Sequence, residues 1–148
     1  MIQTDESFSK KGGNKQVVEC PLGEIEYDEE DALFFPEGLY GYDQTHRYVI
    51  RSQKKYFPFE WLICLEEPTL IFPVIDPMVV ISDYDPRVID VESSDAIRVI
   101  VTMGSSAESV TANLRAPIII SREKHQAKQV ILTDSLYPLR YPVMKQPN

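Results

Sequence analysis

The sequence predicts an all-β fold, mostly antiparallel: a small β-barrel-like single domain with little helix. Three observations carry that reading. Short apolar segments recur at about ten-residue spacing between turn signals. Eleven prolines stand against six glycines in 148 residues, which favours many short elements over a few long ones. No stretch keeps apolar residues at helical spacing for three turns. A chain of this length suits one domain, with a core large enough to fold without disulfides or metals.

The elements follow in order. Residues 1–15 are polar, contain Gly12-Gly13, and read as a flexible arm before a domain at 16–142; residues 143–148 read as a tail. Val17-Val18-Glu19-Cys20 runs into Pro21-Leu22-Gly23, a turn signal. Glu24-Ile25-Glu26-Tyr27-Asp28 then alternates strictly, so Ile25 and Tyr27 share one face and the three acids share the other. This is a hairpin with one wet, acidic face. A strand at 32–35 stops at Pro36, and a glycine-containing loop fills 37–43. Strands follow at 46–50, 57–65 and 70–75, where Pro73 marks an edge or a bulge. Within 57–65, Phe59 and Trp61 fall on one face and read as core aromatics. Residues 78–81 form a short apolar segment, and Asp76-Pro77 favours a turn before it. Residues 82–96 fit a turn with a short strand at Val88-Ile89, or one helical turn. Strands resume at 97–102, 110–114, 117–120 and 128–132, and the proline-rich stretch after Leu136 is extended. Asn113, inside a β pattern, is expected to pin a bulge or a loop with its own hydrogen bonds.

Charge is the first functional signal. The net charge is −8, and seven acids (Glu19, Glu24, Glu26, Asp28, Glu29, Glu30, Asp31) fall in residues 19–31 with no base among them. Outside that segment sixteen acids meet fifteen bases, so nearly all the net charge is local. Phosphate neutralisation needs basic surface, so no direct nucleic acid partner is expected. An acidic strip is suited to a basic protein. Charges on an outer strand also discourage edge-to-edge aggregation, a purely structural use of the same residues. After Ser121 five bases face two acids, which reads as ordinary solvated surface.

Signals for chemistry are missing. His46 and His125 have no partner at ligand spacing, and Cys20 and Cys64 form no metal or redox motif. Both cysteines sit in apolar strand patterns and read as buried, reduced thiols. There is no phosphate-cradling glycine loop and no nucleophile elbow. Glu66-Glu67 and the acids at 28–31 read as solvated groups, and catalytic carboxylates need burial to tune them. The expectation is no enzyme, no metal and no cofactor. With no apolar leader at the start and no run of about twenty apolar residues, no membrane is expected and the location reads as cytoplasmic.

Several segments carry a resemblance: Phe35-Pro36-Glu37-Gly38-Leu39-Tyr40-Gly41-Tyr42, Phe59-Glu60-Trp61-Leu62, Asp76-Pro77, Asn113-Leu114-Arg115-Ala116-Pro117-Ile118, and Gln129-Val130-Ile131-Leu132 with Tyr137-Pro138-Leu139-Arg140. In this order and spacing they resemble the bacterial flagellar assembly factor FliW family, over roughly residues 17–142. Tyr40 stands where proline is usual and Tyr42 where phenylalanine is usual. The resemblance implies a small β-barrel-like fold, no cofactor, and a partner-switching regulator. Members bind CsrA, a dimeric RNA-binding repressor of flagellin translation, and they bind flagellin itself. Retained flagellin occupies the factor and releases CsrA; exported flagellin leaves the factor free to hold CsrA off its messages.

Two candidate surfaces follow. For CsrA they are Glu24, Glu26, Asp28, Glu29 and Glu30. For flagellin they are Gly38, Leu39, Tyr40, Gly41 and Tyr42, with Leu114 and Pro117 as weaker candidates. The loop's apolar residues either face a partner or fold inward to plug a barrel end. The protein is expected to be monomeric alone. The alternative to the regulator is an acidic β-module acting only as a structural interaction domain.

Overall fold

A computed structural model describes residues 15–87, 95–133 and 137–144. The expected arm to residue 14, the Val88-Ile89 strand and the last four residues of the tail lie outside them. The strands are β1 (Lys15–Cys20), β2 (Gly23–Asp28), β3 (Leu33–Phe34), β4 (Arg47–Ser52), β5 (Glu60–Cys64), β6 (Ile71–Ile75), β7 (Ala96–Thr102), β8 (Thr111–Ala112), β9 (Ile118–Ser121), β10 (Gln126–Gln129) and β11 (Tyr141–Pro142). The one α-helix among the described residues, α1 (Pro77–Val80), is a single turn.

Strands β7-β6-β5-β4-β3-β10-β9 pair in that order, and β9 returns to β7, closing a barrel of seven strands. Closure removes the exposed edges that an open sheet would carry. Every pair in the barrel is antiparallel except β3 with β10, which meet in parallel at Phe34 and Gln126. The expected all-β barrel is therefore present. Beyond the β9 contact, β7 also pairs with β8, and β8 pairs with β11.

The period of two along β4 and β5 sends side chains to two different cores. Tyr48, Leu62 and Cys64 point into the barrel with Leu33, Phe35, Val74, Ile118 and Ile120. Val49 and Ile63 point outward, where the β1–β2 hairpin covers them with Val18 and Tyr27. A strand buried on both faces must be apolar without interruption, which explains Trp61-Leu62-Ile63-Cys64-Leu65. A third core lies outside β7, where Ile75, Tyr84, Val99, Val101, Ala112 and Leu114 pack together. Phe59 lies just before β5 and packs against that third core, while Trp61 packs against the hairpin core, so the two aromatics join different clusters.

Several local expectations shift. Residues 78–81 belong to a helical turn, because the Asp76 carboxylate accepts the Met78 N–H at 3.0 Å and Pro77 sits in the first turn. The last barrel strand lies at Gln126–Gln129, earlier than the β-branched run suggested; Val130 and Leu132 instead bond individually to Pro117 O (2.9 Å) and Arg115 O (2.8 Å). Pro73 pairs with Trp61 of β5, while β7 pairs with β6 only at Val74 and Ile75, so the proline occupies a local edge. Asn113 acts as expected: its side-chain oxygen accepts the Arg115 N–H at 3.1 Å. Cys64 is buried, Cys20 is half-buried, and both are unbridged.

Candidate functional site

The hairpin presents the first surface. Val18, Ile25 and Tyr27 face the barrel wall, which leaves Val17, Glu19, Glu24 and Glu26 facing out. Glu19 lies directly across from Glu24, and Val17 directly across from Glu26. Like charges opposite each other weaken a hairpin by about 0.2–1 kcal/mol. Something else must therefore hold this one down. Its inner apolar face is one part. The other is Arg51, on the outer side of β4, whose Nε donates to Glu26 O at 3.0 Å and whose Nη2 donates to the Asp31 carboxylate at 2.8 Å. Nearby, Arg47 Nη2 donates to Glu29 at 3.0 Å.

These contacts divide what the sequence offered as one acidic strip. Glu29 and Asp31, on a 3₁₀ turn after β2, are satisfied within the molecule. Asp28 faces Lys15 at 3.9 Å. Among the described residues, Glu19, Glu24, Glu26 and Glu30 have no ion pair. Burial alone would raise the Asp31 carboxyl, but the Arg51 guanidinium and the Asp28 N–H outweigh it and hold Asp31 below the usual range.

The loop between β3 and β4 presents the second surface. Gly38 (φ +69°) and Gly41 (φ +88°) turn the chain back so that Leu39 and Tyr42 bond to each other's backbone, Tyr42 N–H to Leu39 O at 2.7 Å. A Cβ on Gly38 would meet Asp43 Cα and Tyr42 O at 2.7 Å, so this position requires glycine. The turn sends Leu39 inward, 2% exposed, as a plug in the barrel core, and leaves Tyr40 81% exposed. Tyr42 is 43% exposed, with its ring edge-on to Phe72 at 5.3 Å between centroids. The loop's far end is fixed by Thr45, whose hydroxyl lies 2.6 Å from that of Tyr48; burial pushes the Tyr48 hydroxyl up to about 12.

The surface role expected of Leu39, Leu114 and Pro117 needs correction. All three side chains are buried, and so is Gly38. The loop residues left exposed between Leu39 and Asp43 are Tyr40, Gly41 and Tyr42. Sequence reasoning named Gln129 only as part of a family motif and missed that it organises this end. Its carboxamide oxygen accepts the Tyr40 N–H at 2.8 Å and its nitrogen donates to Ala116 O at 3.2 Å. Next to it, Leu114 N–H donates to Pro138 O at 3.1 Å and Tyr84 Oη donates to Leu114 O at 2.7 Å. Three segments singled out separately in the sequence, 35–42, 113–118 and 129–132, are thus one structural unit. Exposed Ile131 lies in one of these segments, and exposed Leu139 follows Pro138, which accepts the Leu114 N–H.

A sequence profile of the FliW protein family matches residues 16–143, nearly the whole described chain. The chain belongs to the FliW family. Flagellar assembly factor FliW of Ruminiclostridium cellulolyticum is 34% identical over 135 residues, covering 84% of this chain and 91% of that protein. The namesake from Syntrophus aciditrophicus is 36% identical over 133 residues, with 84% of each chain covered. A crystal structure of the flagellar assembly factor FliW superposes with a TM-score of 0.80 at 29% identity, covering 89% of this chain and 98% of that one. The FliW fold is therefore the fold of this chain, and three of the motifs that suggested it, 35–42, 113–118 and 129–132, are tied together by Gln129.

Proposed function

We propose that this protein is a cytoplasmic, non-enzymatic flagellar assembly factor that works by exchanging two protein partners, CsrA and flagellin. Family membership supports the role in flagellar assembly. The observation that carries the two-partner reading is the separation of two unlike surfaces. The outer hairpin face holds Glu19, Glu24 and Glu26 around the exposed Val17, with its like-charge pair unrelieved inside the molecule. A basic surface, such as an RNA-binding protein carries, relieves that repulsion on docking. The loop face holds Tyr40 and Tyr42 on a rigid double-glycine turn. Rigid exposed aromatics suit an apolar, partly extended export substrate such as unassembled flagellin. Because the faces are built on different elements, the chain has room to discriminate its partners chemically.

The test is calorimetry with purified CsrA and flagellin, singly and in competition. Lysine at Glu19, Glu24 and Glu26 together is expected to weaken CsrA binding about tenfold or more at low salt and leave flagellin binding intact. Tyr40→Ala with Tyr42→Ala is expected to do the reverse. Unchanged CsrA affinity at low salt in the first variant would remove the hairpin from the proposal.

A further inference from the structure

The two barrel ends differ. Leu39 plugs one of them. The other opens as a cleft of about 340 Å³ whose floor is Leu33, Ile50 and Ile120. Its walls are already fixed. Arg51 is held by Asp31, Glu26 O and Ile50 O at 2.8–3.0 Å, and the Glu60 carboxylate takes the Arg98 Nε at 2.6 Å. Those charges are neutralised inside the molecule. Two others on the lining are not: among the described residues, Glu30 and Arg122 have no ion pair.

We propose that this mouth is a third docking site, which takes one aliphatic side chain from an extended protein segment carrying a basic residue on one side of it and an acidic residue on the other. The aliphatic floor selects the central residue, because burying that side chain against Leu33, Ile50 and Ile120 removes apolar surface from water. The rim selects the neighbours. A uniformly basic segment would set a cation against Arg122, and a uniformly acidic one would set an anion against Glu30. Only a mixed segment satisfies both free charges. The fixed walls keep the ordering cost of binding low. This site shares Glu30 with the acidic surface proposed for CsrA but depends on neither partner named above.

The test uses the full chain with methyl-labelled Leu and Ile and short capped peptides, followed by NMR. Acetyl-Lys-Leu-Glu-amide is expected to shift the Leu33, Ile50 and Ile120 methyls saturably. Acetyl-Lys-Ser-Glu-amide is expected to bind about tenfold more weakly or worse, since the side chain that fills the mouth is gone. Acetyl-Lys-Leu-Lys-amide and acetyl-Glu-Leu-Glu-amide are each expected to bind more weakly than the mixed peptide. Ser52→Trp, which fills the mouth from the exposed end of β4, is expected to abolish the shifts while the Tyr40 loop signals stay in place. The proposal is overturned if the mixed peptide gives no saturable shift, if the serine peptide binds as well, if free leucine does as well as the peptide, or if Ser52→Trp leaves the shifts unchanged. None of these arms contains CsrA or flagellin, so the outcome is independent of the partner-exchange reading.

Discussion

The hairpin and the β3–β4 loop are both surface features, but they are held by opposite means. The hairpin lies flat on the outside of β4 and β5, fixed by a small apolar patch and by the Arg51 and Arg47 contacts to Glu26, Asp31 and Glu29. The loop is anchored through the barrel core by Leu39 and shaped by glycine φ angles. The first attachment has a large ion-pair component and responds to salt; the second rests mainly on burial of Leu39 and on glycine geometry. On the partner-exchange proposal, one adjustable face and one fixed face would let the two partners be controlled separately.

The largest test of this contrast is Leu39→Asp. A carboxylate in the barrel core has no partner, so the expected loss is about 3 kcal/mol or more, seen as a collapse of the thermal transition. Gly38→Ala comes next, at about 1–3 kcal/mol, since it combines φ +69° with a 2.7 Å clash against backbone. Arg51→Ala is expected to remove about 1–2 kcal/mol in urea unfolding and to loosen the hairpin without unfolding the barrel. The single tryptophan, Trp61, lies beneath the hairpin, so its fluorescence should move to longer wavelength in that variant. If Trp61 emission is unchanged, apolar packing alone holds the hairpin and the contrast between the two regions fails.

Acid provides a gentler version of the same test. The Asp31 carboxyl is depressed in the folded protein, so its contribution is fully present above the ordinary value of 3.8 and is lost as pH falls through the lowered one. Glu66, whose carboxylate accepts the His46 and Arg47 N–H groups at 2.6 and 3.0 Å, behaves the same way at the base of the loop; burial opposes those bonds and they win. A pH titration of Trp61 emission should therefore show a transition below about pH 4 that Arg51→Ala weakens. The smallest expected effect is that of Tyr40→Ala on stability, within about 0.5 kcal/mol in thermal melting, because the ring is 81% exposed. A large loss there would mean that the loop is held from outside as well.

Some of this was readable from the residues and some was not, for definite reasons. The strict alternation of residues 24–28 shows which side of β2 is wet, because a period of two leaves no other choice. Pro73 indicates a local edge because it has no N–H to donate. The family motifs were legible as well. The direction of Leu39 was not. Two glycines fix that the chain turns, but which of the side chains of Leu39, Tyr40 and Tyr42 enters the barrel depends on the φ values the turn adopts and on the space inside. The division of the acidic strip was equally hidden, since Arg47 and Arg51 lie in a different strand and nothing local links them to Glu29 and Asp31. Gln129 was legible only as the first residue of a family motif within the expected strand at 128–132. Its importance exists only once residues 40 and 116 are neighbours.

The parallel contact of β3 with β10 has a consequence for how the chain is made. Strands β1 with β2, and β4 through β6, join near neighbours in sequence and can form as soon as they leave the ribosome. The edge of β3 cannot be covered until Gln126 has been synthesised, because its other partner lies far along the chain. Until then a growing chain carries an unpaired strand beside half a barrel. Non-local pairing of this kind sets the slow step of folding in β proteins. Closure of the barrel at β3 is thus expected to follow formation of the β4–β6 meander.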